Sequence, residues 1–188
     1  MLTSGDDRLN WQHATTIGFV YYGLRQAGIF VMDTCKIMIY TDGSCNPGLG
    51  IGAWAAILII QHEKVVRSGH AFNTTHQRME LTAIIESVGY VAGRPSRNGI
   101  CVVTDSQYIV NIAARKEEIK ARGYKTGKGS AMRNHDLVRA FISLIDDHTI
   151  SFVKVKAHQR DVRADPHNRE ADKLARKVLR QFVKKALR

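Results

Sequence analysis

Ile100-Cys101-Val102-Val103-Thr104-Asp105 is the stretch that decides the architecture: a short, unbroken apolar and β-branched run that leads straight into a carboxylate. A run so uniformly apolar has no face to offer water, and it reads as a strand buried on both sides, as in parallel sheets. Upstream, Lys36-Ile37-Met38-Ile39-Tyr40-Thr41 is a second short apolar run, expected to stop at the turn residues Asp42-Gly43-Ser44. Between the two runs, Leu81, Ile84, Ile85, Val88, Val91 and Ala92 recur at helical spacing, which predicts an amphipathic helix over Gln77 to Val91 that Gly93 and Pro95 end. Strand, helix and strand make a crossover unit, so the two apolar runs should lie side by side and parallel.

Outward from this unit the pattern stays regular. Asn46-Pro47-Gly48 predicts a turn, and Ala53 to Ile60 and Lys64 to Phe72 are strands joined at hairpin length by Gln61-His62-Glu63. Gly48, Gly50 and Gly52 lack the Gly-Lys-Ser/Thr of a phosphate loop and read as turn chemistry leading into that hairpin. Ser106 to Ala114 and Asn134 to Asp146 are helix candidates separated by a basic, Gly-containing stretch, and Thr149 to Val155 is a last strand. In the final helix Ala171, Leu174, Ala175, Val178, Leu179, Phe182, Val183 and Ala186 share one face. From Lys173 onward it holds seven Lys and Arg and no acidic residue. The order of elements predicts an α/β fold, a mixed sheet covered by helices.

At 188 residues the chain suits one domain, or one domain with an appendage. Twenty-eight Lys and Arg against seventeen Asp and Glu give a net charge of +11, which favours a polyanionic partner. Cys35, Cys45 and Cys101 are odd in number and widely spaced, so neither a disulfide framework nor a zinc site is expected, and a reducing, intracellular setting is the default. No His-Glu-x-x-His pair marks a zinc hydrolase. Residues 1–34 carry a net charge of −1 and form an N-terminal extension of unstated role, with the main domain over 35–188. The apolar run from Ile17 to Leu24 is broken by Arg25 and Gln26 and is too short to span a bilayer. Asp6 and Asp7 ahead of it argue against a secretory signal. No membrane association is expected. Met32 and Met38 lie just before the first strand, so the extension reads as an appendage or as a start placed too far upstream.

Four carboxylates fall where an open α/β sheet places its ligands, beyond the carboxyl ends of parallel strands. Asp42 and Asp105 end the two parallel strands, Glu80 sits at the rim of the crossover helix's buried stripe, and Asp172 lies in the first turns of the last helix. Singly, each has a plain reading as turn residue, helix cap, solvated position or dipole-compensating charge. Converging together they would repel one another unless cations sat between them, and hard divalent ions take oxygen ligands. A metal cage is the reading of the set.

The motifs that hold these carboxylates form a recognisable series. Thr41-Asp42-Gly43-Ser44-Cys45, Asn46-Pro47-Gly48, Thr74-Thr75-His76-Gln77-Arg78-Met79-Glu80-Leu81, Val103-Thr104-Asp105-Ser106-Gln107-Tyr108, and Val155-Lys156-Ala157-His158 followed by Asn168-Arg169-Glu170-Ala171-Asp172 resemble, in order and spacing, the signatures of type 1 ribonucleases H. The resemblance runs from about Ile37 to Leu179, and bacterial cytoplasmic enzymes are nearest in style. It implies a five-stranded mixed sheet and an endonuclease that cuts the RNA strand of RNA–DNA hybrids to 5′-phosphate products. Asp42, Glu80, Asp105 and Asp172 would hold two Mg²⁺ ions, with Mn²⁺ as a substitute, and two such ions can clamp an in-line displacement. His158 would be the mobile histidine of proton transfer and product release, a role that an ordinary imidazole pKa suits.

The resemblance also implies a hybrid interface. Asn46, Gln77 and the backbone near Cys45 and Arg78 would contact RNA, whose 2′-hydroxyl distinguishes it from DNA. Thr75 would lie in the phosphate pocket of the DNA strand and Asn134 near the hybrid. Arg115, Lys116, Lys120, Arg122, Lys125 and Lys128 occupy the place of the family's basic handle, with Tyr124 where an aromatic is usual, and cations there would hold phosphates that the carboxylates repel. The partner would be the hybrid, and the chain a cytoplasmic monomer.

Some positions depart from the commonest bacterial pattern. The turn between Cys45 and Asn46 is shorter, His76 stands for an amide residue, Ala157 for Gly, the stretch from His158 to Asn168 is longer, and Glu117 and Glu118 interrupt the handle. These bear on hybrid affinity and on histidine positioning more than on the carboxylates. Rival readings are a ribonuclease H domain of a retroelement polyprotein, a relative on the same fold acting on DNA alone, and a noncatalytic hybrid-binding module.

Overall fold

The computed structural model describes residues 19–21, 37–93, 99–155 and 166–188. In chain order the elements are β1 (Phe19–Tyr21), β2 (Ile37–Asn46), β3 (Ile51–Ile60), β4 (Glu63–Ala71), α1 (His76–Ala92), β5 (Ile100–Thr104), α2 (Gln107–Ala114), α3 (Lys116–Ala121), α4 (His135–Asp147), β6 (Ile150–Lys154) and α5 (Pro166–Ala186). The strands form one mixed sheet in the order β1-β6-β5-β2-β3-β4. The five-stranded mixed sheet flanked by helices is present as β2 to β6. The short β1, from the leading segment, adds to it by pairing parallel to β6.

The crossover unit is as the apolar runs implied. β5 pairs parallel with β2 and with β6, and its alternate residues enter opposite cores. Ile100 and Val102 join Ile37 and Ile39 beneath α1 and α4, where Leu81, Ile84, Val88, Phe141, Ile142 and Phe152 fill the larger core. Cys101 and Val103 turn the other way to meet Tyr40, Ile57, Val153 and Ala171. This alternation is the pleat at work, and it explains why β5 is apolar without a break.

α5 covers the second face. Ala171, Ala175 and Val178 are buried on it, small enough to let the helix lie close against β2 and β3. The more distal part of the expected apolar face, at Phe182 and Val183, is half-buried and Ala186 is exposed. Phe182 stacks on the His70 ring of the edge strand β4.

One expectation is corrected. β2 does not stop at Asp42-Gly43-Ser44 but continues to Asn46, because its antiparallel pairing with β3 runs on to Asn46↔Ile51. Its parallel pairing with β5 does end at Tyr40↔Val103, so Asp42 still projects from the open end of the parallel pair. The turn beyond, 47–50, closes on the Gly50 amide donating to the Pro47 carbonyl at 3.4 Å, with Gly50 at φ +62°. The basic stretch after α2 contains the short helix α3.

Gly43 fixes how α1 meets the sheet. A Cβ there would lie 2.7 Å from the Glu80 amide nitrogen and 2.9 Å from the Met79 carbonyl carbon, so only glycine lets the helix backbone approach β2 at that point. The helix begins at its cap, where the Thr75 side chain accepts from the Arg78 amide at 3.4 Å. Arg78 then ties α1 to α4 through two bonds to Asp136, at 2.9 and 2.6 Å. That guanidinium holds the Asp136 carboxyl down to about 2. Among the described residues no helix is long and apolar enough to cross a membrane.

Candidate active site

A cleft of about 530 Å³ opens at the end of the β2–β5 parallel pair, and Asp42, Glu80, Asp105 and Asp172 all line it. Each arrives from a different element. Asp42 extends β2 past its parallel partner, and Asp105 follows the last residue of β5. Glu80 comes from the first turns of α1, brought close by the Gly43 contact, and Asp172 comes from the second turn of α5. Gly43, Ser44, His76, Gln77, Ser106, Gln107, Tyr108 and Arg176 complete the lining.

The electrostatics are those of crowded carboxylates. Burial, and then the negative charges of Asp105 and Asp172, push the Asp42 carboxyl up to about 7, against the opposing pull of His76 and of the Gly43 backbone. Glu80 is held at both oxygens: the Ser106 hydroxyl donates to Oε2 at 2.7 Å, and His76 Nδ1 lies 3.3 Å from Oε1. Its carboxylate raises the His76 pKa in return, first through that bond. Asp172 faces the Arg176 guanidinium, with 2.7 Å between Oδ1 and Nε. As placed, the four share the cleft without meeting at a point: among the described residues no group of three or more His, Cys, Asp or Glu side chains could hold a metal ion. The donor set is nevertheless oxygen-rich and mutually repelling, which fits hard divalent cations and suits few other ligands.

The other expected site residues separate into groups. Gln77 lines the cleft. Asn134 adopts φ +57° ahead of α4 and donates from Nδ2 to the Tyr108 hydroxyl at 3.1 Å, which links it to the cleft through a lining residue. Asn46 accepts the Leu49 amide at 3.2 Å and so closes the β2–β3 turn, while Thr75 caps α1. In the handle, Lys120 binds Asp146 at 2.9 Å, Arg122 binds Glu118 at 2.9 Å, and Tyr124 sits at φ +60° under the Arg139 guanidinium. His158 lies outside the described residues.

Of the cleft residues that went unassigned from the sequence, four bond other site residues. His76 and Arg176 each sit one helical turn from a carboxylate, at Glu80 and Asp172, and that spacing was a readable signal. Ser106 and Tyr108 act across elements, on Glu80 and Asn134, where no local spacing could reveal them.

Comparison with known proteins identifies the family. The sequence profile of RNase H matches residues 34–180. The chain belongs to the ribonuclease H family. The chain is 35% identical to the Ribonuclease H of Caldicellulosiruptor saccharolyticus over 149 residues, 78% of this chain and 98% of that protein. It is 38% identical to the Ribonuclease H of Anaplasma marginale over 156 residues, 81% of this chain and 97% of that one. Such matches over nearly the whole of each relative make this chain a ribonuclease H enzyme. The solved structure of LC9-RNase H1, described as a type 1 RNase H with the type 2 active-site motif, superposes with a TM-score of 0.63 at 24% identity, covering 76% of this chain and 71% of that one, and supports the fold.

Proposed function

We propose that residues 35–188 hydrolyse the RNA strand of RNA–DNA hybrids, with Asp42, Glu80, Asp105 and Asp172 as the residues that would hold two divalent ions, Mg²⁺ or Mn²⁺. The observation that carries this reading is the shared cleft, where burial and neighbouring carboxylates drive Asp42 up to about 7 and so favour counter-cations. When bound, two such ions supply a water made nucleophilic at neutral pH and a clamp on the attacking and leaving oxygens.

The chain's own groups have separable tasks. Ser106 and His76 hold Glu80 toward the cleft, and Gln77 on its lip is suited to hydrogen-bond the RNA 2′-hydroxyl. Asn46 and Thr75 are proposed as the neighbouring RNA and DNA contacts, with Asn134, Lys120, Arg122 and Tyr124 further along the hybrid. His158 is proposed to carry the proton to the departing oxygen.

The test is cleavage of an end-labelled hybrid with Mg²⁺ and with EDTA, beside duplex DNA and single-stranded RNA. Cutting only the RNA of the hybrid, only with the metal, and loss of cutting but not of binding in Asp42→Asn, is the result expected. Binding without cleavage by the unaltered chain would leave a hybrid-binding module instead, and cleavage of duplex DNA would assign a different substrate.

A further inference from the structure

The charge that should grip phosphate is unevenly spent across this surface. In the handle, Arg115 pairs with Glu118 at 2.9 Å, Arg122 with the same carboxylate at 2.9 Å, and Lys116 and Lys120 both with Asp146. Those four cations face Glu117, Glu118 and Asp146, which leaves a net of +1, and Lys125 and Lys128 bring the handle to +3. α5 is the opposite case: Lys173, Arg176, Lys177, Arg180, Lys184 and Lys185 are all exposed, as is Arg188 just beyond the helix, and no acidic residue follows Asp172. The salt bridges of the described residues leave Lys173, Lys177, Arg180 and Lys184 unpaired.

The cations are also aligned. At about 100° per residue Arg176, Arg180, Lys173, Lys184 and Lys177 fall within roughly 100° of arc, opposite the stripe of Ala171, Ala175 and Val178. The row begins in the cleft, because Arg176 lines it beside Asp172. From there to Lys184 it runs on the order of 12 Å at 1.5 Å per residue.

We infer that the exposed face of α5 is a nucleic-acid track continuous with the cleft, which binds the backbone of the hybrid beyond the cut site and supplies more of the electrostatic grip than the handle. The inference rests on the hybrid being the substrate and adds where it is held. A cationic helix can also lie on an anionic membrane, but that mode needs a free apolar face, and the apolar face of α5 is packed on β2 and β3.

The test measures binding of the full chain by fluorescence anisotropy in EDTA over a range of salt, with hybrids of about six and about twenty base pairs, the shorter ending near the cleft at ~3.4 Å per pair. Lys177→Gln/Arg180→Gln/Lys184→Gln is compared with the matched handle variant Arg115→Gln/Lys120→Gln/Arg122→Gln. Every phosphate that a variant no longer neutralises lowers the slope of log affinity against log salt by about 0.9, so the helix variant should drop by between two and three in slope and at least tenfold in affinity at 0.1 M salt, on the long hybrid only. The handle variant should lose less. The charge-preserving control Lys177→Arg/Arg180→Lys should bind as the unaltered chain does, which excludes misfolding as the cause. An unchanged slope in the helix variant, equal losses on both hybrid lengths, or a larger loss in the handle variant would overturn the inference. So would loss of binding to phosphatidylserine vesicles without loss on the hybrid. These outcomes are separable from the catalytic reading, which falls only if the unaltered chain fails to cut the hybrid with Mg²⁺.

Discussion

The Ser106 hydroxyl donates to Glu80 Oε2 at 2.7 Å and accepts the Ile109 amide at 3.3 Å, so one side chain starts α2 and orients a cleft carboxylate on α1. Ser106→Ala removes both bonds. Loss of the cap costs about 1 kcal/mol, and the partly buried Glu80 left short of a bond adds up to about as much again. Urea unfolding should show a drop near ~2 kcal/mol with an unchanged m-value, cleavage should fall several-fold, and Ser106→Thr should restore most of both. A full-rate Ser106→Ala enzyme would show that Glu80 needs no such anchor.

Gly43→Ala sets a methyl group 2.7 Å from the Glu80 amide nitrogen, against helix backbone that cannot rotate away. Gly52→Ala makes still closer contacts, but with Thr74 Cγ2 and Met79 Cγ, which are side chains. Overpacking costs about 1–3 kcal/mol, and yielding neighbours keep the cost at the lower end. Gly43→Ala should therefore be the more destabilised of the two by urea midpoint, and it should lose cleavage out of proportion to stability because α1 carries Glu80. Equal damage in both variants would deny Gly43 its part in placing the helix.

These two sites show what the sequence could and could not convey. The alternation that sends Val102 and Cys101 into opposite cores is local, a period of two in an apolar run, and it was legible along with the crossover helix. The end of β2 was not, because Asp42-Gly43-Ser44 has turn chemistry and only pairing with the distant β3 keeps it extended. The four carboxylates could be placed in one cleft because strand ends and the helix phase are sequence properties. Their partners divide by range: Arg176 and His76 lie one turn away on the same helices, whereas Ser106 reaches Glu80 from another element. The partial neutralisation of the handle was hidden for a like reason, since Asp146 joins Lys116 and Lys120 from α4.

Asp42 makes stability fall as pH rises in the ion-free protein. Its folded pKa, about 7, stands above the ordinary 3.8, so between those values the folded state holds a proton that the unfolded chain has released. The fold is thus destabilised progressively from about pH 4 to pH 7, by up to about 1.4 kcal/mol per pH unit, and the effect levels off above. Asp136 has the reverse sign: its pKa is lowered to about 2 by Arg78, so the stability it gives is present above pH 4 and is lost as pH falls toward 2. Urea titrations in EDTA should place maximal stability near pH 4 to 5, and Asp42→Asn should flatten the upper limb and stabilise the protein at pH 8. Added Mg²⁺ should raise the melting temperature more at pH 8 than at pH 5. A flat profile in the unaltered chain would mean that Asp42 ionises as an ordinary carboxylate.

Arg176 should influence metal and nucleic acid in opposite directions. Its guanidinium lies 2.7 Å from Asp172 inside the cleft, so it competes with any cation for that carboxylate and at the same time presents positive charge to phosphate. The pair is partly exposed, and its contribution to folding is small, below about 1 kcal/mol. Arg176→Gln should therefore leave the urea midpoint nearly unchanged and raise Mg²⁺ affinity several-fold by calorimetry. It should weaken hybrid binding up to about eightfold at 0.1 M salt, the value of one neutralised phosphate. If Mg²⁺ affinity fell together with hybrid affinity, the guanidinium would be supporting Asp172 in a geometry that the ions require, and competition between them would be refuted.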